Sequence, residues 1–232
     1  MDADADAYRL FVARSAAMGW LTDAIDPAAG GCWGMNDASV TAAWGPIPQV
    51  VGWFQVVMTD PTVETAPVQP FLACVDDVIT RLVSLDLTAL QMLLPSGAHG
   101  RPRPDTRTVQ RDLTASAGWF LPGSRPRVPA SISIDCAREV EIERLITPRQ
   151  LADLQVMQAG ACVLRLDEPG IPVSLAGQWA DRLRHRSTVD ATLIEWSLDA
   201  LGWILASIDS RLRQAEMDEP VLVTISLAEL RQ

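Results

Sequence analysis

Residues 190–227 read DATLIEWSLDALGWILASIDSRLRQAEMDEPVLVTISL, and the fold turns on how this stretch divides. Ile194, Leu198, Leu201, Leu205, Ile208 and Leu212 step by four, three, four, three and four, the interval of one stripe on an α-helix. Trp196, Ala200 and Trp203 widen that stripe on a second side, so the spacing predicts a central helix over about residues 190–214. The same three-four seam also suits pairing with a second copy, which makes the helix near Ile194–Leu212 a candidate homodimer contact. After Glu219-Pro220, the run Val221–Leu227 reads as a strand.

Upstream of this stretch, Ser131–Cys136 alternates with Ile132, Ile134 and Cys136 on one face, a strand. Thr147-Pro148-Arg149-Gln150 supplies an N-cap, a proline at the first helical position and a glutamine three after the cap, the start of a helix. Ala161–Leu166 reads as a strand stopped by Asp167-Glu168-Pro169, and Leu175, Trp179 and Leu183 mark another helix. His185, within Arg182–Arg186, falls at the end of that helix, where cations complement its dipole.

In the first half, Phe11, Met18, Leu21 and Ile25 share a helical stripe over residues 8–25, and residues 27–38 read as a loop. Val40, Ala42 and Trp44 alternate up to Gly45-Pro46-Ile47-Pro48, and Val50–Met58 runs apolar almost without a break, the pattern of a buried strand. Asp60-Pro61 stops it. Val68, Phe71, Leu72, Val75, Val78, Ile79 and Leu82 then trace a full helical face before a short strand at Ala89–Leu94. The class predicted is α+β, a two-layer sandwich of mixed sheet and helices. The expected division is an α-β-β-α-β half over residues 1–94, a connector over 95–129 and an α/β half over 130–232, unless one continuous domain covers all three. Acid-Pro pairs at Asp60-Pro61 and Glu168-Pro169 suggest two related halves.

The connector inverts the charge. Arg101, Arg103, Arg107, Arg111, Arg125 and Arg127 face only Asp105 and Asp112, so it carries +4, against −8 for residues 1–94 and −6 for residues 130–232. The whole chain has a net charge of −10 and a pI near 4.6. That balance argues against nucleic acid, whose affinity rests on clustered cations displacing counterions. All 19 basic residues are arginine. The codon bias of a GC-rich, high-GC bacterial genome explains this, and avoidance of reactive amines is a second reading. Either way, lysine Schiff-base, pyridoxal-anchoring, P-loop and kinase chemistry are excluded. MDADADAYRL has acids where a secretory signal carries positive charge, and no apolar run reaches about 18 residues, so a cytoplasmic chain with no membrane partner is expected.

Cys32, Cys74, Cys136 and Cys162 form no CxxC pair. His99 and His185 are the two histidines and lie in no metal-binding pattern, so neither a metal nor a cofactor is expected. No G-x-S-x-G, G-x-G-x-x-G or Walker pattern occurs, and no catalytic residue is identified. Cys74 falls on a helical stripe and Cys136 and Cys162 in strand-like runs, where a thiol is a small hydrophobe, whereas Cys32 lies among glycines.

The eight tryptophans stand out beside one tyrosine. Trp33 and Trp44 flank glycine- and proline-rich turns and are expected to be exposed or to line a pocket, while Trp53, Trp196 and Trp203 fall on core stripes. Trp119 sits in Gly118-Trp119-Phe120-Leu121-Pro122-Gly123, as an anchor or a contact. Two functional readings follow. One is a non-catalytic adaptor or toxin-neutralising protein that engages a protein partner through acidic and Trp-bearing surfaces. The other is a small-molecule-binding protein or enzyme, with Trp33, Trp44 and Trp119 lining a pocket between the halves and His99, Arg101 and Arg103 gripping an anionic ligand.

Overall fold

The computed structural model describes residues 3–22, 31–40, 52–58, 66–84, 86–94, 127–137, 163–167, 185–215, 217 and 219–228. The chain is α+β, with a two-stranded and a five-stranded sheet among these residues. Every strand ladder is antiparallel, and a single bridge between Leu21 and Trp33 runs parallel. The chain divides into two compact units: residues 1–63 with 67–86, and residues 64–66 with 87–232. Among the described residues no helix is long and apolar enough to cross a membrane.

The first unit holds α1 (Ala3–Ala17), β1 (Trp33–Val40), β2 (Gly52–Met58) and α2 (Val68–Leu82). Helix α1 starts in an alanine-rich segment and buries Ala7, Phe11 and Ser15, which step by four along one face. It stops well short of Leu21. Trp20 N–H bonds the Ser15 carbonyl at 2.9 Å and Gly19 N–H the Ala16 carbonyl at 3.0 Å, with Gly19 at φ 71°. This left-handed Schellman stop fixes the end of the helix, so Met18 and Leu21 do not continue the Phe11 stripe, and Met18 is exposed. Ile25 lies outside the described residues. The stretch read as a loop over 27–38 contains most of β1, a strand with a bulge between Met35 and Asp37. Helix α2 has the predicted bounds and buries Val68, Leu72, Cys74, Val75, Val78 and Ile79.

Serine 15 ties three elements of this unit together. Its Oγ lies 3.4 Å from Cys74 Sγ on α2 and accepts the indole N–H of Trp33 on β1 at 3.3 Å. Around it Phe11, Trp20, Trp33, Phe54 and Phe71 form one aromatic cluster, with ring centroids 5.3–6.3 Å apart.

The second unit holds β3 (Ala89–Leu94), β4 (Val128–Cys136), β5 (Val163–Asp167), β6 (His185–Leu193), α3 (Leu198–Gln214) and β7 (Val221–Leu227). The strand order is β3-β7-β4-β6-β5. Because β3 pairs with β7, the boundary falls after Asp86 and not at residue 94, and Val128 and Pro129 belong to a strand rather than to a connector. The sheet thus draws one strand from the stretch that a duplicated-unit reading assigns to the first half. The predicted helices from Thr147 and around Leu175–Leu183 lie outside the described residues.

Residues 190–193, read as the opening of the long helix, and 185–186, read as the end of another, belong to strand β6. Ser197 sets the true helix start: its Oγ accepts the Ala200 N–H at 3.1 Å and donates to Glu195 Oε1 at 2.6 Å. The expected stripe otherwise holds, with Leu198, Leu201, Leu205, Ile208 and Leu212 each at most 6% exposed. Ile204, Ala206 and Ser210 are buried as well, so α3 is enclosed on more than one side and its seam is occupied within the chain, not offered to a second copy. His185 opens β6 opposite Cys136, so it lies in a strand and not in a helix.

Candidate functional site

The five-stranded sheet has an apolar face built from Ala130, Ile132, Ile134 and Cys136 on β4, Val189, Ala191 and Leu193 on β6, and Val221, Val223 and Ile225 on β7, all buried. Its other face carries Leu93 and the buried Leu222 beside polar residues that pair across the strands. Asp135, 3% exposed at its side chain, accepts Arg186 Nε at 2.7 Å and Nη2 at 2.9 Å. In the next row Ser133 Oγ and Thr188 Oγ1 meet at 3.0 Å, and Gln91 Nε2 donates to Thr224 Oγ1 at 3.3 Å. A bidentate pair and cross-strand hydroxyl bonds lock the register of these strands.

The hairpin of the first unit behaves differently. Strand β2 alternates strictly: Gly52, Phe54, Val56 and Met58 are half-buried, with the Phe54 ring tilted against that of Phe11 at a centroid distance of 5.3 Å, and Trp53, Gln55 and Val57 are exposed. Trp53 is 44% and Val57 54% exposed. The run Val50–Met58 reads as buried because two of the three solvent-facing residues of β2, Trp53 and Val57, are apolar, which hides the period-two signal. Opposite these residues in register stand Ser39 for Trp53, the exposed Asp37 for Gln55 and Gly34 for Val57. An apolar pair flanking a polar residue, with a carboxylate alongside, is therefore the described surface best suited to a partner.

The residues singled out from sequence fare unequally. Trp33 is fully buried in the aromatic cluster, its indole N–H spent on Ser15, and touches no solvent: the glycines around it end in β1, whose inward face takes Trp33, Ala38 and Val40. Trp44, His99, Arg101, Arg103 and Trp119 lie outside the described residues. Trp53 is the correction in the opposite sense, exposed where a core position was expected. Trp196 and Trp203 are half-buried, and the Trp196 indole N–H donates to the Leu87 carbonyl at 2.7 Å. Burial pushes the thiols of half-buried Cys32 and buried Cys74 above the usual cysteine value. Among the described residues no group of His, Cys, Asp and Glu is placed to hold a metal ion. No protein-family model matches the chain, nor does any curated protein or solved structure.

Proposed function

We propose that this protein is a non-catalytic, cytoplasmic binding protein of the adaptor or toxin-neutralising type, and that it engages a protein partner through the outer face of the β1–β2 hairpin. One observation carries the reading: Trp53 and Val57 lie on the same strand face, one on each side of Gln55, and both remain about half exposed. Tryptophan offers large apolar area at small entropic cost and dominates the energetics of interfaces, so a surface Trp that shares its strand face with a second apolar side chain suits a partner contact. The net charge of −10 supports a basic partner, drawn in by long-range attraction. Free thiols at Cys32, Cys74 and Cys136 support a reducing compartment.

Native mass spectrometry of the protein isolated from its own host tests this. The expected spectrum contains a second protein chain whose occupancy falls as salt rises and which is lost from the Trp53→Ser/Val57→Ser variant. A bare monomer, or a partner retained by that variant, overturns the reading.

A further inference from the structure

We infer that the open edge of β2 takes an extended peptide segment bearing basic side chains as a third strand of the hairpin sheet. The inference rests on the reading of this hairpin as a docking surface and specifies the kind of partner. The two edges of the hairpin differ. That of β1 is occupied next to Trp33, where Leu21 bridges, Thr22 N–H bonds the Trp33 carbonyl at 2.8 Å, and the Trp20 carbonyl accepts from Cys32 and Trp33. Among the described residues β2 pairs with β1 alone, and no described strand covers its other edge.

Edge strands are ordinarily guarded by lysine, proline, an inward charge or a bulge that twists them away. Gly52–Met58, GWFQVVM, has no charge and no proline, and the bulge lies on β1. A regular, uncharged, seven-residue edge is what strand addition needs, with main-chain hydrogen bonds giving affinity and alternate side chains giving selection. A strand laid there sets every second side chain beside Trp53, Gln55 and Val57. Asp37 lies one strand beyond Gln55, about 10 Å from the added strand, which an arginine or lysine reaching over Gln55 can span. The Trp53 ring offers a second seat for the same cation. β1 and β2 carry one aspartate and no arginine, and residues 1–94 carry −8, so the charge selects a basic strand and opposes a second copy of this chain.

Fluorescence anisotropy of the full chain with labelled acetyl-Arg-Val-Arg-Val-Arg-Val-amide tests the inference. Two comparison peptides are used: the same sequence N-methylated at alternate residues, and its Glu-Val counterpart. Saturable binding is expected, with affinity about tenfold lower for Trp53→Ser and about threefold lower for Asp37→Asn. The N-methylated peptide keeps its charge but cannot pair, and is expected not to bind. Equal binding of the N-methylated or the Glu-Val peptide, or no binding of the Arg-Val peptide, overturns strand addition. Sedimentation that shows a dimer abolished by Trp53→Ser assigns the edge to a second copy and overturns it too. A host protein lost from the Trp53→Ser/Val57→Ser variant while the Arg-Val peptide fails to bind leaves the docking surface standing and removes only the strand.

Discussion

Asp209 and Ala66, 143 positions apart in the chain, are joined by one hydrogen bond: the carboxylate Oδ2 of Asp209 on α3 accepts the Ala66 N–H at 3.1 Å. The same oxygen accepts Arg213 Nε at 3.0 Å, and the Asp209 side chain is 2% exposed. Removing the carboxylate leaves a guanidinium and a part-buried amide without their acceptor. Asp209→Ala is therefore expected to lose about 3 kcal/mol of stability, read by urea unfolding.

Asp209 also sets a pH dependence. Burial raises its carboxyl above the ordinary aspartate value, outweighing the lowering by Arg213 and the Ala66 amide. The folded chain thus keeps this proton to higher pH than the unfolded chain, and the stability associated with it is lost as pH rises from the ordinary aspartate value through the raised one. Asp209→Asn cannot ionise. The difference in unfolding free energy, wild type minus Asp209→Asn, is expected to fall with rising pH across that window; a difference that grows contradicts the assignment.

Trp33 and Trp53 should exchange the roles that their sequence surroundings suggest. Trp33→Ala empties a fully buried site in the aromatic cluster and is expected to cost about 4 kcal/mol. Trp53→Ala should stay within about 0.5 kcal/mol of wild type. Paired denaturant titrations decide between these values.

Two glycines test the backbone of the first unit. Gly19 sits at φ 71° with open space where a Cβ would be, so Gly19→Ala is expected to cost only the left-handed penalty, about 1 kcal/mol. Gly31, at φ 127°, would bring a Cβ to 2.7 Å from the Thr22 backbone. Gly31→Ala should therefore cost more than about 2 kcal/mol, and the order of the two thermal midpoints checks it.

The cysteines should separate by access. Cys32 is half-buried, and Cys74 and Cys136 are buried, Cys74 with its thiol pushed up by desolvation. Iodoacetamide under native conditions is expected to modify Cys32 ahead of both, with peptide mapping as the readout.

What the sequence made legible follows from how one-sided each element is. α2, β3 and β7 have the predicted bounds, since their apolar residues keep one period between clear stops. β6 did not stand out because Ile194 lies four residues before Leu198, so a strand's alternation at Val189, Ala191 and Leu193 merged into the helical stripe. The Ser197 cap was the signal that separates them. At the candidate site, β2 was recognisable as a strand, but its sidedness was not: Trp53 and Val57 are apolar on the solvent side, and hydrophobicity alone cannot distinguish a core from a contact. Trp33 misled for the converse reason, a core residue set among turn-forming glycines.

The order of the five-stranded sheet bears on how the chain comes off the ribosome. β7, made after every other strand described, lies between β3 and β4, and β3 has no other partner among the described strands. Residues 89–94 therefore emerge long before the strand that shelters them, and must wait through more than a hundred further residues of synthesis. During that interval Ala89–Leu94 is an apolar segment with both edges open, the stage at which a nascent chain is most exposed to aggregation or to a chaperone's grip.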